Sequence, residues 1–190
     1  MLVIAGALLA GTGVVHATSQ SVDGPATVAA PADRLVEVTT TSADGILFPI
    51  DPLPRCVLIN PFGGVSKSGQ AGVHQGLDIG AELGQEVYAV EDGELYQRWT
   101  DGNPGLGWGL QGDSDTRYRY FHLSEFAEGL EVGDRVEQGQ VIGYVGDTGN
   151  ATPGGWHLHF EVHQRDGSRY RAVDPLPLLA IPTICTNLIR

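Results

Sequence analysis

Apolar and polar residues alternate most clearly between residues 156 and 163. The polar positions fall at one parity and comprise His157, His159, Glu161 and His163. A period of two is the signature of a half-buried strand, whose successive side chains point to opposite faces. The pattern therefore predicts a strand with two imidazoles on one face, their Cα atoms about 6.6 Å apart at a rise of ~3.3 Å per residue. A strand that merely exposes surface histidines would show the same pattern.

A second stretch, residues 117–124, alternates in the same way. Strand geometry predicts that Tyr118, Tyr120 and His122 share one face. The two arginines and Phe121 then lie on the opposite face. Such a strand is explained either by plain packing around a hydrogen-bonded imidazole or by a functional histidine near its end.

The rest of the chain has few windows with helical periodicity. Its 27 glycines and 11 prolines favour many short strands joined by tight turns. Segments 84–93 and 133–142 share a spacing of Gly and Val that is typical of hairpins. We therefore predict a mostly β fold: a single domain of antiparallel strands in a flattened two-sheet sandwich or barrel-sandwich hybrid. Biotinyl and lipoyl carriers also use such hairpins, but they need a lysine in the turn, and Lys67 lies outside both segments.

Composition narrows the choice of partners. The chain has 190 residues, 42% of them hydrophobic, which is enough for one domain with a sizeable core. Its formal net charge is -12 and Lys67 is the only lysine, so no basic stripe is available for a phosphate backbone or an anionic membrane surface. We expect no nucleic-acid partner, and a monomer.

The amino-terminal segment predicts export. An uncharged apolar run spans residues 2–15 and is followed by small residues at the positions that a signal peptidase recognises. The run is shorter than the ~20 residues needed to span a bilayer, which favours a signal peptide over a membrane span. A signal peptide usually begins with a basic region, however, and no basic residue precedes this run. An uncleaved anchor and a part of the folded domain are therefore the alternatives. We divide the chain into a signal peptide (1–17), a flexible Ala/Thr/Pro-rich spacer (18–45), a β domain (46–180) and a C-terminal tail (181–190). The expected location is outside the cytoplasmic membrane, secreted or associated with the envelope.

The two cysteines agree with export. Cys56 and Cys185 lie near the two ends of the predicted domain. An even count in an exported protein favours a disulfide over two free thiols. Neither has the Cys-x-x-Cys neighbour of a thiolate zinc site or a redox centre, so we assign them no chemistry.

A glycine-rich loop at residues 72–80 contains His74 and Asp78. Its three glycines argue against a helix, and Gly76 allows the chain to bend so that imidazole and carboxylate meet. Zinc accepts both ligand types at about 2.0–2.2 Å. In the alternative interpretation, Asp78 only orients His74 or caps a turn.

Taken together and in this order, the three motifs resemble the lysostaphin-type zinc endopeptidases of bacterial cell walls. The resemblance covers residues 48–178 and rests on His74-x-x-x-Asp78, Tyr120-Phe121-His122-Leu123-Ser124 and His157-x-His159. The chain departs from the family at residues 105–113, where glycines replace much of an aliphatic strand and leave the shape of the groove open. The three tryptophans either line that groove or pack in the core: Trp99, Trp108 and Trp156.

The resemblance implies a function and a set of roles. His74, Asp78 and His159 would hold one zinc ion, and His157 and His122 would be the catalytic pair. The implied activity is hydrolysis of peptidoglycan peptides, in the cross-bridge or the stem peptide. No residue of the sequence indicates which of these peptide bonds is cleaved. A non-catalytic relative that binds wall peptides or activates another hydrolase is the alternative, and a prosegment within residues 18–54 could block the metal.

The division of labour between the catalytic histidines stays open at this level. We expect His157 to act as general base on the attacking water, and His122 to bind the developing oxyanion or share the proton transfer. Glu161 and His163 share the parity of the histidine pair. We expect them to be surface residues at the end of the strand rather than groups that fix an imidazole tautomer.

Overall fold

The computed structural model describes residues 46–64 and 73–187. The predicted signal peptide (1–17) and spacer (18–45) lie outside this part of the chain. Within the described residues there is no helix long and apolar enough to cross a membrane. The elements are β1 Val57–Asn60, β2 Leu77–Gly80, β3 Glu86–Tyr88, β4 Gly93–Thr100, β5 Leu106–Gly112, β6 Arg117–Phe126, β7 Arg135–Val136, β8 Val141–Val145, β9 His157–Asp166, β10 Arg169–Val173, a 3-10 helix at Leu176–Leu178, and β11 Thr186–Asn187.

Hydrogen bonds join these strands into one unclosed sheet. The order along it is β11-β1-β2-β9-β6-β5-β4-β7, while β10 pairs with β9 and the β3–β8 pair attaches to β6 through β8. Every pairing except that of β1 with β11 is antiparallel. The predicted class, a mostly β domain of antiparallel strands, is confirmed. The long strands β6 and β9 lie side by side in its middle, and both carry predicted site residues.

The core lies against one face of these two central strands. Leu158, Phe160 and Val162 of β9 are at most 1% exposed, as the alternating pattern predicts. Tyr118 and Tyr120 of β6 are buried with them, and side chains of β3 and β8 belong to the same cluster. Burial of large apolar side chains contributes roughly 1.5–3 kcal/mol each. This contribution holds β9 in the register that sends its odd-numbered side chains to the opposite face.

The glycine-rich stretch at residues 105–113 contains β5, which lies between β4 and β6. The absence of a side chain at Gly109 makes room for the ring of Tyr96, because a Cβ added there would lie 2.7 Å from Tyr96 Cζ. Trp108 on the same strand is fully buried, and its indole N–H donates to the Ile142 carbonyl at 2.8 Å. At this position a glycine of β5 thus makes room for an aromatic side chain of the neighbouring strand β4.

The two ends of the described chain meet at the edge of the sheet. Cys56 and Cys185 form a disulfide across a sequence separation of 129 residues. Next to it, the backbone N–H of Thr186 donates to the Cys56 carbonyl at 3.0 Å, and β11 pairs with β1. The segment predicted as a C-terminal tail (181–190) thus includes a strand of the sheet.

Candidate metal centre and catalytic groove

Three potential metal ligands converge where β2 meets β9. Asp78 and His159 are cross-strand partners in this pairing, and His74 lies just before β2. The Asp78 Oδ1 atom lies 3.0 Å from His74 Nε2 and 2.9 Å from His159 Nδ1. The two imidazole nitrogens are 2.9 Å apart. Among the described residues, this is the one group of three or more His, Cys, Asp or Glu side chains whose ligand atoms cluster in this way.

Hydrogen bonds on the far side of each ligand orient it toward the common point. The outer nitrogen of His74, Nδ1, donates to the Pro61 carbonyl at 3.0 Å. The outer nitrogen of His159, Nε2, lies 3.2 Å from Glu161 Oε1. The second oxygen of Asp78 accepts from the Asn60 amide at 3.2 Å. Because the outer nitrogens are donors, each imidazole presents a lone pair inward once its inner nitrogen is deprotonated, and this is the form that binds a metal.

The electrostatics of this cluster favour a cation. Burial would raise the pKa of Asp78, but hydrogen bonds from His159 and His74 outweigh burial and hold that pKa well below its usual range. Burial likewise opposes a charged His159, but Asp78 and Glu161 outweigh it and raise the pKa of His159 to about 9. Two ionised carboxylates thus attract positive charge to the point between the imidazoles, whether it comes from a proton or a metal ion.

His122 reaches the same site through an irregularity in β6. Its backbone φ is +64°, in the left-handed region that few residues other than glycine adopt. The pairing of β6 with β5 is irregular here, because two residues of β6, Phe121 and His122, lie opposite the single residue Gly107 of β5. The expectation that His122 shares a face with Tyr118 and Tyr120 is wrong, because this bulge turns its side chain out of the core and into the groove.

His122 and His157 face each other beside the candidate metal ligands. Their ring centroids are 4.9 Å apart. Nδ1 of His122 lies 2.8 Å from the Thr148 carbonyl and Nδ1 of His157 lies 2.7 Å from the Gly155 carbonyl, so both Nδ1 atoms donate a hydrogen. The Nε2 atom of each neutral ring is then an acceptor. His157 Nε2 lies 3.9 Å from Asp78 Oδ1, which places it next to the candidate metal ligands.

The environment keeps His122 neutral at neutral pH. Its side chain is buried, and burial is the main reason why its pKa falls from 6.5 to about 4. The neighbouring imidazole of His157 lowers the pKa further, because two positive charges so close together would repel each other. A neutral imidazole with a free Nε2 lone pair can accept a proton.

A groove with a volume of about 600 Å³ contains all five predicted site residues. Trp99 lines this groove and makes an edge-to-face contact with Phe121 at 4.9 Å between ring centroids. The other two tryptophans contribute to packing: Trp108 is part of the core, and Trp156 packs against the core cluster. The groove is open to solvent, so an extended chain has access to the histidines.

Two residues that sequence reasoning placed at the surface are buried. Glu161 and His163 are only 6% and 5% exposed, so the expectation that they are surface residues at a strand end is wrong. At this point β9 has strand neighbours on both sides, because His163 pairs with Arg117 of β6 and Ala172 of β10. The sequence analysis also did not identify Asn60, whose amide donates to Asp78, as a residue of the site. No sequence signal marks it, since its contact with Asp78 depends on the pairing of β1 with β2.

Curated relatives share the part of the chain that carries the site. A glycyl-glycine endopeptidase, ALE-1 of Staphylococcus capitis, is 40% identical over 110 residues, which cover 57% of this chain and 29% of that protein. An L-Ala–D-Glu endopeptidase of Bacillus subtilis is 33% identical over 112 residues, covering 56% of this chain and 34% of that protein. The chain thus spans about a third or less of the length of these relatives.

Solved structures show the same fold. The catalytic domain of lysostaphin from Staphylococcus simulans superposes with a TM-score of 0.55 and 32% sequence identity, covering 63% of this chain and 88% of that domain. The model of Peptidase family M23 matches residues 72–175, which include every residue of the candidate metal cluster and of the histidine pair. Because this match covers more than half of the 190 residues, the chain belongs to peptidase family M23.

Proposed function

We propose that this chain is an exported zinc metalloendopeptidase that hydrolyses peptide bonds of peptidoglycan, in the cross-bridge or the stem peptide. The observation that carries the proposal is the convergence of His74, Asp78 and His159 beside two further imidazoles in one open groove. The names of two relatives, a glycyl-glycine and an L-Ala–D-Glu endopeptidase, support peptide-bond hydrolysis. The proposed location is outside the cytoplasmic membrane, where this substrate lies, and the proposed state is a monomer.

The donor set fits zinc. Two imidazole nitrogens and one carboxylate oxygen are ligands that this ion prefers, and three protein ligands leave one position open, as in catalytic zinc sites. Ligand atoms around tetrahedral zinc are ~3.3 Å apart for metal–ligand distances of about 2.0–2.1 Å, and the three atoms here are 2.9–3.0 Å apart. When bound, zinc supplies a Lewis acid that acidifies water and polarises the scissile carbonyl.

His157 is the proposed general base. Its Nε2 is an acceptor in the neutral ring and lies beside the ligand Asp78, so it is placed to take the proton of the attacking water. Once protonated, the same nitrogen can deliver the proton to the leaving amine. The carbonyl of Gly155 keeps the ring in the required orientation throughout, because it accepts from Nδ1 in both protonation states.

His122 is proposed as the second member of the pair. In the neutral ring Nδ1 is the donor and Nε2 is an acceptor that faces the groove. His122 therefore shares in proton transfer and does not, in this form, donate a hydrogen bond to an oxyanion. It becomes a donor only after taking a proton. The lowered pKa makes that protonated form more acidic than an ordinary imidazolium, so it passes the proton on readily.

The proposal is tested by incubating the purified chain with peptidoglycans of several bridge chemistries, with and without a chelator, and by identifying the newly freed amines by mass spectrometry. We expect release that requires metal. The His159→Ala variant should lose both zinc and hydrolysis, whereas His157→Ala should lose hydrolysis and retain zinc, since only His159 belongs to the ligand cluster. Equal loss of zinc in both variants would contradict the assigned roles.

A non-catalytic wall-binding relative is the second candidate from the sequence. No observation favours it here, because both imidazoles of the proposed catalytic pair lie beside proposed metal ligands, His157 beside Asp78 and His122 beside His159. Wall binding without release of any amine, in the presence of zinc, would support this candidate against hydrolysis.

A further inference from the structure

A buried carboxylate lies behind the metal cluster, on the same face of the central strands. Glu161 follows His159 by two residues on β9, and both residues line the groove. Its Oε1 lies 3.2 Å from His159 Nε2, the nitrogen that faces away from the other two ligands. Its Oε2 lies 2.6 Å from His163 Nε2 and 3.3 Å from Arg119 Nη1. Both oxygens of the carboxylate therefore have partners.

The position of Glu161 is set by the pairing of β6 with β9. In that register Phe121 is opposite His159, and Arg119 is opposite Glu161. The guanidinium of Arg119 is also held by aromatic residues of β4, since its Nε lies 3.4 Å from the Tyr96 hydroxyl and its Cζ is 5.7 Å from the centroid of the Trp99 ring. A buried carboxylate without partners would be costly, so these contacts explain how the Glu161 side chain is accommodated beneath the groove.

The geometry at His159 has a chemical consequence. An imidazole that binds a metal through Nδ1 must carry its hydrogen on Nε2. A carboxylate that accepts this hydrogen selects the correct tautomer, fixes the plane of the ring and makes the ligand more basic. Glu161 is the group that accepts it here, whereas the other candidate ligand imidazole, His74, donates to a backbone carbonyl.

We propose that Glu161 is a positioning residue for the metal ligand His159, and that Arg119 and His163 in turn hold Glu161 in place. The inference deepens the proposed function and rests on it for the presence of a metal. Glu161 itself does not touch the metal or the substrate in this scheme. It acts on metal affinity and on the orientation of one ligand.

The decisive measurement is zinc affinity, determined by competition of metal-free protein with a chelating dye. Replacing an outer partner of this kind typically weakens affinity by about 10–100-fold, and we expect a loss of that size for Glu161→Ala. Glu161→Gln should retain part of the affinity that Glu161→Ala loses, because its amide oxygen still accepts from His159, whereas its NH₂ group replaces the oxygen that accepts from Arg119. The matched control is Glu125→Ala on β6, which removes an exposed carboxylate outside the groove.

A second readout separates positioning from general stability. With histidine labelled with ¹⁵N, nuclear magnetic resonance of the zinc-loaded wild type should show Nδ1 bound and a slowly exchanging Nε2–H on His159. In Glu161→Ala that proton should exchange rapidly while the circular dichroism spectrum stays unchanged. Should Glu161→Ala fail to fold, Arg119→Met, which leaves the carboxylate in place without its guanidinium, should still show faster exchange at the same proton.

The outcomes distinguish the two proposals. Wild-type protein that binds no zinc would overturn the proposed function. Wild-type protein that binds zinc, with Glu161→Ala binding it equally well and protecting the same proton, would overturn the positioning role alone. Equal losses of zinc affinity in Glu161→Gln and Glu161→Ala would also overturn it, since the acceptor oxygen that glutamine retains and alanine lacks would then make no difference.

Discussion

His122 shows how one backbone angle decides the role of a side chain. Simple alternation along β6 would send it into the core beside Tyr120, but its φ of +64° and the bulge opposite β5 send it to the groove. Two contacts hold this conformation: the backbone N–H donates to the Pro104 carbonyl at 3.0 Å, and the ring donates to the Thr148 carbonyl at 2.8 Å. Strained residues of this kind persist where surrounding contacts over-determine them, often at active sites.

The low pKa of His122 predicts a pH dependence of stability. Between pH 6.5 and about 4 the unfolded chain takes up a proton on this residue that the folded protein does not. Lowering the pH through this window therefore destabilises the fold, by up to about 3 kcal/mol for a pKa difference of this size. His122→Asn should lose less stability over the same range, since asparagine does not titrate and tolerates a left-handed φ.

The measurement is chemical denaturation of metal-free wild type and variant at several pH values from 4 to 7. Using metal-free protein keeps zinc release from contributing to the pH profile. The difference between the two free energies of unfolding cancels the titration of residues that both proteins share, including Asp78 and His159. Parallel pH profiles for the two proteins would show that His122 is not held neutral by the fold.

At the scale of elements, the site depends on how closely the loop before β2 approaches β9. Asp78 and His159 are brought together by strand register, but His74 is outside the strand and reaches them only because the chain passes over His159 at Gly76. A Cβ at Gly76 would overlap with the Phe160 carbonyl oxygen and lie 2.9 Å from His159 Nε2. The glycine is needed there for close approach, in addition to the bend that the sequence predicts.

Gly76→Ala should therefore affect both stability and metal binding. We expect a loss of about 1–3 kcal/mol in the free energy of unfolding, as for overpacking of an interior, together with weaker zinc affinity because the His159 ring is displaced. Gly80→Ala is the matched control on β2, since a Cβ there meets Ile59 Cδ1 at 3.4 Å, an ordinary contact. Equal effects of the two substitutions, measured by denaturation and dye competition, would refute the close-approach explanation.

At the scale of the whole molecule, the sheet collects residues from distant parts of the chain. The ligand cluster joins residues 74 and 78 to residue 159, and the disulfide joins Cys56 to Cys185, 129 positions away. Such long-range contacts carry a large entropic cost of ordering the chain. The disulfide reduces that cost by constraining the unfolded state, at the edge of the sheet and outside the groove.

Removal of the disulfide should lower stability without removing the site. For a closed loop of this length the chain-entropy model gives about 5 kcal/mol, and native disulfides typically contribute 2–5 kcal/mol. The double variant Cys56→Ala/Cys185→Ala should unfold at a lower denaturant concentration, and wild type in reducing agent should behave in the same way. Its zinc affinity under native conditions should stay close to that of wild type. A large loss of affinity in a variant that is still folded would show that the bridge supports the metal centre directly.

The fold class, the strand that carries the histidines, the family and the disulfide could all be predicted from the sequence alone. The alternating residues of β9 predict a strand with its histidines on one face, because side-chain period is a local property of the backbone. The abundance of glycine and proline predicts a mostly β fold, and three ordered motifs indicate the family to which the chain belongs. The two cysteines predict the disulfide that the structure contains.

Only the tertiary structure decided which of these residues meet and how they are oriented. Burial of Glu161 depends on the pairing of β9 with β6, the direction of His122 depends on a bulge, and the need for glycine at position 76 depends on a neighbouring strand. None of these features has a local signal, because each arises from contacts between segments far apart in sequence. Local patterns specify the elements, whereas register and packing between elements specify the chemistry of the site.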